Sequence, residues 1–264
     1  MQEESRRLLG SKNNTNWKKW GPYISERQWG TIREDYSLHG NAWGYTNHDQ
    51  ARSKAYRWGE EALAGFCDAN QILCFAPAFW NGKDSIIKER LYGLSNDKGN
   101  HGEDVKELYF HYDSSPTHSY CQFKYKYPQR KFPYALIEHE NRRSRYQNEF
   151  EILESGIFDK SAYWDITIEY AKADADDILQ KISITNRSKK KKEIHVLPHI
   201  WYRNYWKHNP RYDRPNIVSV GARAMRARSV RNGKYYLYHP DGKQLFCENE
   251  SNTIRLHRIE NKYP

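Results

Sequence analysis

The sequence predicts an all-β protein, a large antiparallel β super-sandwich with few short helices. Several stretches alternate apolar and polar residues with the period of two that is typical of half-buried strands. Turn residues separate these stretches, as in Pro240-Asp241-Gly242-Lys243. Helical periodicity is nearly absent outside a short segment at 48–58. Together these features favour a sandwich of many strands.

The expected strands follow one another along the whole chain. In chain order they are residues 71–79, 119–127, 163–170, 177–185, 193–201, 234–238 and 244–248. The clearest alternation is YWDITIEY in 163–170, and DILQKISIT in 177–185 continues it after a short polar connection. We expect these two strands and 193–201 to form a three-stranded meander, because short polar turns join them.

Length and composition set the bounds of the fold. The 264 residues suffice for one large β domain or two small ones. Hydrophobic residues make up 38% and the mean hydropathy is -1.06, yet 21 tyrosines, 9 tryptophans and 9 phenylalanines argue against disorder. No run approaches the ~20 apolar residues of a membrane span, and the N-terminus has no apolar signal core. We therefore expect a cytoplasmic protein with no membrane partner.

Cysteines and histidines give little sign of a metal site. The four cysteines form no CxxC pair, although Cys67 and Cys74 are spaced to face each other across a hairpin; buried small residues are the favoured interpretation. His195 and His199 are four apart, but Pro198 argues against a helix, so on a strand they would only share one face. We expect no metal and no organic cofactor.

The formal net charge of +10 raises the question of a nucleic-acid partner. The basic residues fall in local clusters: the lysines of 189–192, the arginines of 223–231 and the arginines of 142–145. Each is more simply explained as a solvated face or hairpin tip. Nucleic acid is therefore an unlikely partner, although a basic aromatic nucleic-acid-binding β domain remains an alternative.

The tract from Lys88 to Glu107 is the most polar part of the chain. It reads KERLYGLSNDKGNHGEDVKE, with Phe79-Trp80-Asn81-Gly82 before it and the aromatic run at 108–113 after it. Such a tract is either a solvated loop or a wall of polar groups that holds a polar ligand. Aromatic faces beside carboxylates and amides favour an oligosaccharide or glycoside as that ligand.

No catalytic residue can be assigned from local motifs. The pairs Glu34-Asp35, Glu60-Glu61 and Glu103-Asp104 look like the carboxylates of a glycosidase, but adjacent residues of a strand point to opposite faces. A carboxylate of one pair can still face one of another across a cleft. The sequence contains no GxSxG motif and no phosphate-binding loop.

Several long motifs resemble one family. They are ERQWGTIREDYS (26–37), HDQARSKAYRWGEEALAG (48–65), FWNGKDSIIKERLYGLSNDKGNHGEDVKELYF (79–110), the segment 113–134 with its THSYCQFKYKYPQRKFPY (117–134), EFEILESGIFD (149–159), YAKADADDILQKISITNRS (170–188), HVLPHIWYRNYW (195–206) and QLFCENESNTIRL (244–256). These segments are similar to the N-terminal region of bacterial glucosidase-like proteins related to glycoside hydrolase family 63, which includes mannosyl-oligosaccharide glucosidases.

The resemblance implies a two-part enzyme. An N-terminal β super-sandwich precedes an (α/α)6 barrel, and the barrel carries the acidic pair that hydrolyses an α-glycosidic bond with inversion. We therefore expect a polar extension at 1–25 and a sandwich domain at 26–264, with the catalytic barrel missing. In full-length relatives that barrel is the intramolecular partner of the sandwich. The tail HRIENKYP after Leu256 departs from the family pattern, as expected of a truncation or a shifted frame.

The resemblance also implies which residues face the cleft. The polar candidates are Asp35, His48, Asp49, His101, Glu103 and Asp104, and the aromatic ones are Trp43, Trp58 and Trp80. A role in buttressing the domain interface is an equal alternative for the polar six, and core packing is the favoured alternative for each tryptophan. A stand-alone carbohydrate-binding module is a further alternative for the whole chain.

Overall fold

The computed structural model describes residues 3–10, 16–26, 39, 48–54, 61–94, 105–143, 146–206, 209 and 211–260. Within these ranges the chain is mostly β, which confirms the predicted fold class. Its strands form antiparallel sheets of four, four and three strands. Among the described residues, no helix is long and apolar enough to cross a membrane.

The first sheet has the strand order β1-β2-β3-β8. Its strands are β1 (Trp20–Gly21), β2 (Phe66–Asp68), β3 (Leu73–Trp80) and β8 (His195–Tyr202). The longest ladder joins β3 to β8, from Leu73 opposite Tyr202 to Trp80 opposite His195. Because opposed residues share a face, this ladder decides which side chains of both strands point away from the core.

The second sheet has the order β4-β5-β6-β7, so neighbours in sequence are neighbours in space. Its strands are β4 (Tyr109–Ser114), β5 (Tyr120–Pro128), β6 (Tyr163–Asp174) and β7 (Asp177–Asn186). The alternation read from the sequence appears directly in β5 and β6, where every second side chain is buried. This two-residue period fixes the register, because a slip by one residue would turn the apolar set outward.

The third sheet is smaller and has the order β11-β10-β9. It consists of β9 (Asn216–Ser219), β10 (Ala224–Ser229) and β11 (Gly233–Tyr238). Helices are short: α1 (Glu3–Gly10), α2 (His48–Ala51), α3 (Tyr134–Asn141) and α4 (Thr253–His257). Three 3₁₀ turns span Trp17–Lys19, Ile152–Ser155 and Asp159–Ser161 within the described ranges.

The core lies between the first and second sheets and is rich in aromatic rings. Phe66 of β2 stacks on Tyr170 of β6, with ring centroids 4.7 Å apart, and Phe79 of β3 meets Tyr125 of β5 at 6.4 Å. The buried Tyr170 hydroxyl donates to the Ala64 carbonyl at 2.7 Å, so its polar end is satisfied. Apolar burial on both inner faces therefore joins the sheets into a sandwich.

Two expectations about pairing and strand position are wrong. Residues 193–201 do form a strand, but β8 pairs with β3 rather than with β7, so the expected meander ends after β7. A meander needs only local turns, whereas the apolar inner face of β8 finds its partner across the fold. Residues 244–248 are not a strand. Of the expected helix at 48–58, the structure shows 48–51, and 55–60 lie outside the described residues.

The cysteines behave largely as expected. Cys67 and Cys74 are directly opposed in the β2–β3 ladder, which confirms that they face each other across a hairpin. Both are free thiols and are buried, as is Cys121. Cys247 is exposed, so the expectation of burial is wrong for that residue, because residues 242–248 run over the surface instead of forming a strand.

A buried lysine ties the N-terminal segment to the sandwich. The Lys172 ammonium donates to the carbonyl of Trp20 at 2.6 Å and also to that of Trp17, and it lies 5.6 Å from the Phe66 ring centroid. Burial disfavours the charged form and lowers the pKa of Lys172 from 10.5 to about 8. The amine is therefore easier to deprotonate in the folded protein than in the unfolded chain.

We expect Phe66→Ala to destabilise the sandwich by about 3–5 kcal/mol, because it removes a fully buried ring and leaves a cavity beside Tyr170. Urea unfolding monitored by tryptophan fluorescence measures the change. The control is Leu179→Ala at a 59%-exposed position of β7, for which we expect a change within about 0.5 kcal/mol. Equal losses in the two variants would contradict the assignment of the core.

Lys172 also predicts a pH dependence of stability. The folded protein releases the Lys172 proton near pH 8, whereas the unfolded chain holds it to about 10.5. Between these values the unfolded state binds more protons, so the unfolding free energy rises with pH by at most about 1.4 kcal/mol per unit. The difference in stability between wild type and Lys172→Met should therefore move in favour of wild type from pH 8 to 10. A constant difference over that range would show that Lys172 is not desolvated.

Candidate functional site

The segment after β3 turns back along the strand and carries the beginning of the polar tract. Phe79 and Lys88 exchange backbone hydrogen bonds of 3.0 and 2.8 Å, and the Leu63 N–H donates to the Glu89 carbonyl at 2.7 Å. Lys88 thereby pairs with β3 through an isolated bridge, and Glu89 is tied to Leu63. Consecutive side chains of an extended segment point in opposite directions, so the side chains of Lys88 and Glu89 lie in different surroundings.

The two ends of the tract meet inside the protein. The Lys88 ammonium lies 2.5 Å from the Glu107 carboxylate, and these side chains are 0% and 1% exposed. Lys88 also donates to the Tyr134 hydroxyl at 2.5 Å, and the Tyr125 hydroxyl donates to the other Glu107 oxygen. The Phe132 ring lies over the ammonium at 4.2 Å from its centroid. Each charge is thus paired and hydrogen-bonded, which a buried ion pair requires.

A second buried carboxylate, that of Asp84, fixes residues 81–84, which come just before the polar tract. Asp84 accepts from the Tyr127 hydroxyl at 2.7 Å and from the Phe132 N–H at 2.5 Å. The Asn81 amide donates to the Pro128 and Arg130 carbonyls at 2.9 and 3.0 Å. These bonds attach residues 81–84 to the end of β5 and so hold the start of the tract against the second sheet.

Glu89, Arg90 and Tyr92 form a charged cluster beside the first sheet. Arg90 donates to Glu89 at 2.9 Å, Tyr92 donates to the same oxygen at 2.8 Å, and Glu61 lies 3.7 Å from Arg90. Burial opposes ionisation of Glu89, but Arg90, His199 and the hydrogen bond from Tyr92 outweigh it and hold the pKa of Glu89 below its usual range. Burial raises the pKa of the Tyr92 hydroxyl far above its usual value. Glu89 is therefore an anchored carboxylate and Tyr92 a neutral phenol.

The outer face of the β3–β8 ladder carries two pairs of rings in contact, one tilted and one stacked. Trp80 lies against His195 with centroids 5.1 Å apart, and His199 stacks on Trp201 at 4.7 Å. Trp80, His199 and Trp201 are half-buried, and His195 is exposed. Burial lowers the pKa of His199, so its imidazole is neutral at neutral pH. We call Trp80, His195, His199 and Trp201 the aromatic face; Glu89 adjoins it through its electrostatic contact with His199.

The expectation that His195 and His199 share a strand face is confirmed, because both lie on β8 two alternations apart. Within the described part of the chain, no group of three or more metal-ligating side chains comes together. His199 is occupied by its stack with Trp201 and His195 by its contact with Trp80. The geometry of these histidines is that of packed rings.

The structure places three of the nine predicted site residues. His48 is buried, with its ring 4.4 Å from that of Tyr134 and its Nδ1 3.4 Å from the Gly93 carbonyl. Asp49 is exposed beside it. Trp80 is on the aromatic face, and its Nε1 donates to the Asp84 carbonyl at 2.9 Å. The remaining predictions, Asp35, Trp43, Trp58, His101, Glu103 and Asp104, lie outside the described residues.

His48 and Trp80 are at different ends of one connected set of groups. His48 packs against Tyr134, which contacts Lys88, while Trp80 binds the backbone of Asp84. Sequence reasoning missed Lys88, Glu107 and Arg90 as organising residues, and Trp201 as a ring of the site. The sequence did contain one signal for the Lys88–Glu107 pair, because these two residues carry opposite charges at the two ends of the polar tract.

The chain is similar to the uncharacterized protein YMR196W of Saccharomyces cerevisiae, with 37% identity over 296 aligned residues. The match covers 97% of this chain and 27% of the yeast protein, so the chain spans about a quarter of that relative's length. No family model matches the chain. No solved structure gives a significant match.

We expect Lys88→Met to destabilise the protein by about 3–5 kcal/mol, because it leaves the Glu107 carboxylate buried without its cation. The double variant Lys88→Met/Glu107→Leu should recover part of that loss, since no unpaired charge remains. Denaturant unfolding of both variants measures the coupling.

The matched control is Lys181→Met, which breaks a surface pair with Glu169 in which the lysine side chain is 74% exposed. Its cost should stay below about 1 kcal/mol. If Lys88→Met costs no more than Lys181→Met, the ends of the tract are not held together by the ion pair.

Proposed function

We propose that this chain is the N-terminal, sugar-binding β-sandwich domain of a glucosidase-like glycoside hydrolase. In this proposal a separate (α/α)6 barrel hydrolyses the α-glycosidic bond with inversion, and the sandwich binds parts of the substrate that do not react. The observation that carries the proposal is the aromatic face with the anchored Glu89 beside it. The family resemblance of the motifs supplies the type of enzyme.

The aromatic face supplies flat apolar surfaces for the C–H faces of a sugar ring. Trp80 and Trp201 are near opposite ends of the β3–β8 ladder; the His195 ring lies tilted against Trp80, and the His199 ring stacks on Trp201. Rings that are fixed before binding lose little side-chain entropy when a ligand arrives. A half-buried tryptophan with a packed neighbour is therefore a suitable platform for a pyranose.

The groups beside the face supply hydrogen bonds to sugar hydroxyls. Glu89 is ionised and accepts, while the neutral His199 imidazole can donate or accept. Arg90 is held between Glu89 and Glu61, so the carboxylate keeps its orientation without the ligand. Neutral polar ligands suit this arrangement, because the two carboxylates outnumber the single guanidinium and disfavour an anionic ligand.

Among the described residues, the carboxyl groups with shifted pKa values are ionised at neutral pH and therefore act as hydrogen-bond acceptors. For Glu4, Glu89, Asp165, Glu169 and Asp176 the pKa is shifted downward in every case. An inverting glycosidase needs one carboxylic acid that stays protonated, with its partner ~6.5–9.5 Å away. The length of the yeast relative also accords with a further domain, because 73% of that protein lies outside the match of 27%.

We expect the chain to bind α-linked gluco-oligosaccharides and the variant Trp80→Ala/Trp201→Ala to bind at least about tenfold more weakly, since each lost aromatic platform contributes on the order of 1 kcal/mol. Isothermal titration with maltotriose and longer α-glucans measures the affinity. The variant Trp80→Phe/Trp201→Phe keeps the rings and should retain most of it.

Tyr112→Ala is the matched control, because Tyr112 is a 62%-exposed aromatic residue on β4 of the other sheet. It should leave the affinity unchanged, and thermal melting of each variant separates loss of binding from loss of fold. The proposal fails if wild type binds no α-glucan, or if the alanine and control variants bind equally well.

A further inference from the structure

The outward face of the small β9–β10–β11 sheet has a different chemistry from the aromatic face. Ala227, Ile217 and Tyr235 point inward and join the core cluster. Because side chains alternate along each strand, the residues between them point outward. The register aligns Tyr236 with Arg226 and Lys234 with Arg228 across the β10–β11 ladder. From this face we propose a second activity for the chain: it binds single-stranded nucleic acid.

Two tyrosines on this face are exposed and nearly parallel. Tyr236 is 51% exposed and Tyr238 is 76% exposed, and their ring centroids are 6.3 Å apart with an interplanar angle of 20°. They are two residues apart on β11, so the strand backbone fixes their spacing. Aromatic rings on an open sheet are the platforms on which RNA-binding modules stack two or three successive bases.

The polar groups of the face are cationic. The outward positions of the three strands are Asn216, Val218, Ala224, Arg226, Arg228, Lys234, Tyr236 and Tyr238. They include three cations and no carboxylate. Of the nearby acids, Asp241 pairs with Arg223 at 2.6 Å, and Asp213 accepts from the Val230 N–H at 3.2 Å. The face is therefore complementary in charge to a phosphate backbone.

The contrast with the aromatic face decides the class of ligand. There, Glu89 interacts with His199, and carboxylates repel phosphates while they accept from sugar hydroxyls. Here, cations adjoin the rings, a combination that suits a ligand with flat faces and a charged backbone. A duplex keeps its bases stacked inside, so the exposed tyrosines favour a single strand. Arg226 and Arg228 belong to the cluster of 223–231, for which a solvated face or hairpin tip was the favoured explanation, and they acquire a ligand in this proposal.

Fluorescence anisotropy with labelled dT20 and U20 tests this inference on the whole chain. We expect binding at 50 mM salt that weakens steeply as salt is raised. Tyr236→Ala/Tyr238→Ala should weaken it at least about tenfold, because each base that loses its stacking partner weakens binding severalfold. Arg226→Gln/Arg228→Gln/Lys234→Gln should also flatten the plot of log affinity against log salt, by about 0.7 for each phosphate that is no longer neutralised.

The charge-matched control is Lys189→Gln/Lys190→Gln/Lys191→Gln, which removes three exposed lysines from the turn after β7. It should retain most of the affinity, since it changes the net charge equally but leaves the small sheet intact. Equal weakening by both triple variants would show that net charge alone explains the binding, and it would contradict a site on the small sheet. So would unchanged binding in the tyrosine variant, or binding of a sulfated polysaccharide but of neither oligonucleotide. Maltotriose should not compete, which keeps this test separate from that of the sugar surface.

Discussion

The buried ion pair of Lys88 and Glu107 is the constraint on which the arrangement of the polar tract depends. Two charges removed from water are tolerated only when they meet each other and further hydrogen-bonding groups, which Tyr125 and Tyr134 provide. The pair joins the segment after β3 to the residues just before β4. It also brings α3 against both, because Tyr134 begins that helix. One interaction thus connects the two main sheets of the sandwich where the two ends of the tract meet.

This anchoring separates the interior part of the tract from its surface part. Lys88 is held inside, and the next residue, Glu89, points to the aromatic face with its carboxylate fixed by Arg90 and Tyr92. The small residues Cys74, Ala76 and Ala78 on the same face of β3 are buried, and Trp80 continues the row at its end. Both faces of the first sheet are therefore covered along β3, and the half-buried rings of Trp80 and Trp201 lie at the two ends of the outer row.

Local patterns predicted β3, β5, β6, β7, β8 and β11, and the alternation that predicts a strand is clearest in β5 and β6. The strands β1, β2, β4, β9 and β10 were not predicted. Local patterns also did not predict that β8 leaves β7 and pairs with β3, since that choice depends on apolar contacts far apart in sequence. Trp80 was found because it precedes the polar tract. Trp201 was not, because it lies opposite Cys74 and joins that face of the sheet only through the β3–β8 ladder. The Lys88–Glu107 pair spans 19 residues, and no local rule sets such a contact.

The central proposal, that this chain serves as the substrate-binding domain of a glycosidase, is tested most directly by a hydrolysis assay. Release of glucose from α-linked disaccharides and aryl α-glucosides would be compared for this chain alone and for the full-length yeast relative. The account predicts release by the full-length protein, with inverted anomeric configuration, and none by the chain alone. Release by the chain alone, or no hydrolysis of any α-glucoside by the full-length protein, would contradict it.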